Sequence, residues 1–211
     1  MAETKTKGIC SYCNKTFTRA GMWKHLETCK ERKSVLEKNK GVKCFHILVE
    51  GYRLYWLHIE IPVSSKLRDL DGYLRYIWLE CCDHLSSFKI DKEAYVSYPK
   101  DYMGYKDMEI RLMDLLRPGM DFDYKYDFGS STDLKLRVLS EYYGEIDGKS
   151  VKLLARNEQP ELICCQCNKR ISIKICCTCG PLCEICAGSH GCSFILRAVN
   201  SPRTGICCYD G

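Results

Sequence analysis

Residues 52–82 read YRLYWLHIEIPVSSKLRDLDGYLRYIWLECC, and the period of their apolar residues changes partway along. Up to Val63 the run is rich in β-branched and aromatic residues, as a strand on a packed sheet requires. From there Leu67, Leu70, Leu74, Ile77, Trp78 and Cys81 recur at helical spacing, with Ser64 or Ser65 available to cap the start. KCFHILVEG (43–51) reads as a second strand, joined to the first through Glu50-Gly51. Downstream, EAYVSY is strand-like, DMEIRLMDLL (107–116) predicts a short helix stopped by Arg117-Pro118-Gly119, and DFDYKYDFG and DLKLRVLSE predict a second hairpin across Gly129-Ser130-Ser131. VKLLAR adds a further strand. Strands and helices mix without steady alternation, so the class is α+β, a central mixed sheet with one long and one short helix.

The 211 residues are 45% hydrophobic, enough for a sizeable core, and include 17 cysteines. No run of eighteen apolar residues crosses a bilayer, and the opening MAETKTKGIC has no apolar leader. The expected compartment is the reducing cytoplasm, where many cysteines point to metal or catalysis before disulfides. Three segments differ in composition. Residues 1–41 carry a net charge of +6, residues 42–158 of −3, and residues 159–211 of +2.

In the first segment, CSYCNKTFTRAGMWKHLETC places Cys10 and Cys13 at knuckle spacing and His25 and Cys29 four residues apart, on one face of a helix. Phe17 and Met22 stand between the pairs to cover the ion. The arrangement resembles the Cys-Cys-His-Cys relatives of the Cys2His2 zinc finger, with a gap between Cys13 and His25 one residue short of the usual twelve. A unit this small cannot bury enough surface to fold alone, so zinc is expected to supply its folding free energy, about 10 kcal/mol or more. Arg19, Lys24, Lys30, Arg32 and Lys33 make a basic surface that can neutralise phosphates, or equally a solvated helix and linker.

The last segment contains CCQCNKRISIKICCTCGPLCEICAGSHGC, residues 164–192, the densest run of thiols. Four pairs stand out: Cys164 and Cys167, Cys176 and Cys179, Cys183 and Cys186, His190 and Cys192. Four pairs make two tetrahedral sites of sulfur and nitrogen, which suits zinc. The spacing resembles cross-braced modules of the MYND, HIT and B-box kind. That resemblance implies that Cys164, Cys167, Cys183 and Cys186 share one ion, and Cys176, Cys179, His190 and Cys192 another. A sequential grouping of the first four and the last four donors stays open. So does replacement of a ligand by Cys165, Cys177, Cys207 or Cys208. Thiolate ligation turns the segment's charge to about −1, which disfavours direct DNA binding by this module.

The order LYWLHIEIPVSSKLRDLDGYLRYIWLE, HLSSF (84–88), MDLLRPGMDFDYKYDFGSS is similar to the plasmid pRiA4b ORF-3-like family, over about half of the chain. That resemblance implies an α+β fold for residues 42–158 and an association with plasmids and mobile elements, without a known reaction. Asp127-Phe128-Gly129 also occurs in protein kinases, but there is no glycine-rich phosphate loop here. The tyrosines Tyr95, Tyr98, Tyr102, Tyr105, Tyr124 and Tyr126 offer stacking faces for bases, yet in an acidic domain read as half-buried strand residues.

The chain is therefore expected to be a non-enzymatic protein with three zinc ions, a nucleic-acid-associated accessory protein whose finger contacts DNA or RNA. One alternative is a protein–protein interaction scaffold using the C-terminal module. Another is an enzyme built around Cys82, His84 and Asp127. No membrane partner is expected.

Overall fold

The computed structural model describes residues 6–38, 41–99, 104–145 and 151–211. Strands β1 (Lys7–Cys10) and β2 (Thr16–Thr18) lead into helices α1 (Arg19–Thr28) and α2 (Lys30–Lys38). The body follows: β3 (Lys43–Gly51), β4 (Tyr55–Pro62), α3 (Leu67–Leu74), β5 (Ser86–Ile90), β6 (Glu93–Val96), β7 (Lys106–Asp107), β8 (Asp121–Tyr126), β9 (Thr132–Tyr143) and β10 (Lys152–Asn157). A small unit comes last, with β11 (Lys174–Cys176), β12 (Gly180–Leu182), α4 (Glu184–Gly188) and β13 (Ile195–Arg197). The first ten strands form one sheet in the order β2-β1-β10-β4-β3-β9-β8-β5-β6-β7. The pairing is antiparallel except between β6 and β7, so the protein is α+β with a central mixed sheet.

Side-chain alternation sorts the two faces of that sheet. Phe45, Ile47 and Val49 of β3 and Leu57, Ile59 and Ile61 of β4 pack with Leu67, Leu70, Leu74 and Trp78 into the main core. On the opposite face, Trp56 joins Met22, Leu26, Leu154 and Ala155 in a second core. The long helix thus covers one side and the N-terminal finger the other. Strand β4 is buried along its whole length, His58 and Glu60 included.

The helix start lies one residue beyond the predicted serines, where the Asp69 carboxylate accepts the Lys66 N–H at 2.7 Å. After Leu74 the helix widens into a π turn over Arg75–Leu79. Cys81, which the periodicity places on the helix, therefore lies in a bend past its end. The predicted helix over 107–116 shrinks to a single 3-10 turn at Leu112–Asp114. Its backbone is used elsewhere: the Met108 and Ile110 carbonyls accept from the Arg68 and Leu67 N–H groups, at 3.0 and 2.9 Å. These are donors that the first turn of α3 would otherwise leave without partners.

Beyond β13 the tail folds back onto the body. The Ser201 hydroxyl donates to the Trp78 carbonyl at 2.6 Å, and Asn157 and Asn200 exchange hydrogen bonds of 3.0 and 2.7 Å. Arg203 is wholly buried: Nη2 donates to Asp127 Oδ2 at 2.8 Å, Nη1 donates to Ser130 O and Thr132 Oγ1 at 3.1 Å, and the guanidinium lies over the Tyr126 ring. Asp127 takes a left-handed backbone (φ 63°) and its Oδ1 accepts the Gly129 N–H at 2.9 Å. The Asp-Phe-Gly element is here a turn that receives a buried arginine. Burial works to raise the Asp127 pKa, but the Arg203 and backbone donors outweigh it and hold it below the usual carboxylate value.

Candidate metal centres

In the finger, a tight turn after β1 brings two thiols together. The Asn14 N–H donates to Cys10 O at 2.9 Å, and Asn14 itself adopts φ 57° directly after Cys13. Thr18 caps α1 by accepting the Gly21 N–H, and the helix carries His25 inward and leaves Cys29 at its C-cap. Cys13 Sγ and His25 Nε2 stand 3.2 Å apart, and all four donor atoms lie within 4.8 Å of one another. A regular zinc tetrahedron with Zn–S near 2.3 Å has edges of about 3.8 Å, so the donors are at coordination scale. Phe17 stacks on the His25 ring with centroids 4.0 Å apart. Burial, with a smaller contribution from Lys15, lowers the His25 pKa and favours the neutral, ligating form.

The same backbone device recurs in the C-terminal unit. The Asn168 N–H donates to Cys164 O at 2.9 Å, with Asn168 at φ 53° directly after Cys167, and Gly180 follows Cys179 at φ 99°. These turns aim amides at sulfur. The Cys164 thiol is held down to about 6, chiefly by the Cys167 N–H, and Cys176 to about 6, chiefly by the Cys179 N–H. Cys183 stands at the N-terminal boundary of α4 and Cys186 lies within it. The thiols are interleaved: Cys164, Cys167, Cys183 and Cys186 form one group, and Cys176, Cys179, His190 and Cys192 form another. Sulfur–sulfur distances of 3.9 Å (Cys167 to Cys183) and 3.7 Å (Cys179 to Cys192) match tetrahedral edges. His190 Nδ1 donates to Gln166 Oε1 at 3.3 Å, while its Nε2 is buried without a hydrogen-bond partner among the described residues. That nitrogen carries the lone pair a metal would take, and Gln166 fixes the tautomer.

Cys165 and Cys177 enter neither group, and Cys177 instead neighbours Cys208. Cys207, open in sequence as a substitute for Cys192, lies 3.5 Å from His84 Nε2. With Cys81 and Cys82 it completes a fourth group of Cys and His donors. Cys81, Cys82 and His84 are neighbours in sequence, but no local spacing adds Cys207, which is 123 residues from His84. The Cys82 thiol, a nucleophile in the enzymatic alternative, is pushed up to about 11 by Cys81, then by burial and Cys207. The Asp127 carboxylate of that alternative is held by Arg203.

The basic residues of the finger do not form one open surface. Lys24, Lys30 and Lys33 are exposed, and Arg19 pairs with Glu50. Arg32, expected to contact phosphate, is buried instead: Nη1 donates to Leu26 O at 2.8 Å, and its guanidinium lies over the Tyr142 ring. A helical arginine on the sheet-facing side of α2 serves packing because the finger docks there. The helix positions that read bases in related fingers fall on Thr18, Gly21 and Lys24, of which the first is spent on the cap. Tyr95, Tyr124 and Tyr126 are buried, Tyr98 and Tyr105 are exposed, and Tyr102 lies outside the described residues.

Fold and donors together define the class: an α+β protein with Cys/His groups at both ends, arranged so that each can hold a metal ion. No family model and no curated protein matches the chain. Among solved structures, a protein of unknown function, MM3350 from Methanosarcina mazei Go1, is similar over 54% of this chain and 68% of that chain, at 16% identity and a TM-score of 0.47. Membership of the plasmid pRiA4b ORF-3-like family is therefore not shown. Among the described residues, no helix is long and apolar enough to cross a membrane.

Proposed function

We propose that this chain is a non-enzymatic zinc protein whose ions are structural, and that it works as a binding scaffold. One observation carries this reading. Each of the three groups foreseen from spacing supplies four protein donors, whereas a catalytic zinc keeps a position free for water or substrate. Thiolate and imidazole donors select zinc over cations that prefer oxygen. The test is native mass spectrometry of protein purified without chelator, followed by chelation. Zinc at these sites and loss of the near-ultraviolet dichroism on its removal are expected; a folded chain containing no metal would overturn the reading. A scaffold also predicts recovery of a stoichiometric protein partner free of nucleic acid.

A second reading, nucleic-acid association, is favoured by the exposure of Lys24, Lys30 and Lys33 on consecutive helices. With so few base-reading side chains, contact would be to phosphate and strongly salt-dependent. Duplex binding that does not weaken when these three lysines become glutamine removes it. A link to plasmids or mobile elements is supported by the sequence resemblance alone.

A further inference from the structure

We infer that Cys81, Cys82, His84 and Cys207 form a fourth zinc site, which fastens the C-terminal tail to the end of the long helix; this rests on reading the other groups as zinc sites. The donors meet the same proximity as the other three groups, within 4.8 Å of one another. Cys207 Sγ is 3.5 Å from His84 Nε2, and the thiols of Cys81 and Cys82 lie within 4.8 Å of both. Three thiols and an imidazole are also the donor set of the finger.

The backbone supports the assignment independently. Asn14, Asn168 and Gly180, each directly after the second cysteine of a knuckle, have positive φ, and Asp83 directly after Cys82 does too, at 53°. On the opposing tail, Cys207 and Cys208 stand at φ 50° and 54°, after Gly205 at 78°. Two consecutive left-handed cysteines are strained, and such conformations persist where surrounding structure fixes them. A shared ion would fix the first of them.

Charge is arranged to match. Three thiolates, an imidazole and a zinc ion sum to one negative charge. Arg203 Nε donates to Cys81 Sγ at 3.4 Å from a fully buried position, giving that charge a cationic neighbour. Asp127 Oδ2 also approaches His84 Nε2, at 3.7 Å, but is already held by Arg203. The four donors thus join the bend after the π turn to a tail segment far along the chain, and Arg203 is the inner strut of the same junction.

Native mass spectrometry of the full chain, grown with zinc and purified without chelator, tests this. The expected result is four zinc ions per chain, three in Cys207→Ser and in Cys82→Ser, and four in the neighbouring control Cys208→Ser. Cobalt substitution should show the tetrahedral absorption of Cys207→Ser reduced by about one quarter relative to the unsubstituted protein. The three ions that remain certify that the variants fold. Three ions in both the unsubstituted chain and Cys207→Ser would overturn the fourth site and leave the other three standing. A Cys82–Cys207 disulfide, seen as a mass lower by two hydrogens with three ions bound, would overturn it equally. No metal at all would overturn both readings.

Discussion

His46 and His58 show how one side chain's surroundings fix its chemistry. They face each other between the sheet and the finger, with His46 Nε2 and His58 Nδ1 2.8 Å apart and the Trp56 ring edge-on to His58. Burial, and after it the positive charge of Arg32, pushes His58 down to about 3; burial, then His58 and Arg32, lowers His46 as well. Both histidines are therefore neutral in the folded protein while an unfolded chain binds protons below about 6.5. The sign follows: the contribution of both is complete above about 6.5 and is lost as pH falls below that, for His58 at about 1.4 kcal/mol per pH unit down to about 3. Imidazole nitrogen shifts measured by NMR between pH 8 and 5.5 should stay at neutral values for both rings. A midpoint near 6.5 for either would contradict the buried pair. Arg32 is the residue whose role the sequence could not reveal, since a basic residue on a short, charged helix has the same local pattern whether it faces water or a tyrosine ring.

At the scale of elements, the docking of β1 against β10 decides whether the finger is an appendage or part of the sheet. Gly8 stands opposite Asn157 in this pairing, and a Cβ built there would meet Arg156 O and the Trp56 ring at 2.4 Å each. Neither neighbour is the free end of a flexible chain. Gly8→Ala should cost about 1–3 kcal/mol, as overpacking does, and the loss should fall on this seam. Hydrogen exchange checks it: amides of β1 and β10 should lose protection while those of β3 and β9 keep theirs, and uniform protection across all four would contradict the packing. The elements legible beforehand were those whose partners are nearby in sequence. The long helix follows from Leu67, Leu70, Leu74 and Trp78, and the β3–β4 hairpin from adjacent strands. The 107–116 stretch has a helical pattern of apolar residues, yet only Leu112–Asp114 makes a 3-10 turn, and the Met108 and Ile110 carbonyls before it serve the start of α3. Periodicity registers which side chains are apolar and is blind to which backbone groups already have partners.

For the whole molecule, the finger and the tail change what the central sheet can be. The donors in 164–192 were legible because every one lies within one short run, whereas their interleaving was implied only by the resemblance to cross-braced modules and spacing left a sequential grouping open. The junction of Arg203 with Asp127 and of Cys207 with His84 was not legible, because each joins segments more than seventy residues apart, 76 and 123 respectively. Trp56, Leu154 and Ala155 are completely buried, and they are packed with Met22 and Leu26 of the finger helix. If the finger were an independent module on a linker, a chain of residues 42–211 would keep its fold and solubility. With the finger as one layer of a three-layer body, its removal uncovers that apolar face and leaves β10 as an unpaired edge beside it, a combination that favours association. The shortened chain should therefore bind a hydrophobic dye, lose the cooperative unfolding transition of the full protein and sediment as larger species. Adding residues 1–41 as a separate zinc-loaded peptide should reverse part of the dye binding. A monomeric 42–211 with an unchanged transition would show that the second core contributes nothing, and the finger would then be free to act alone.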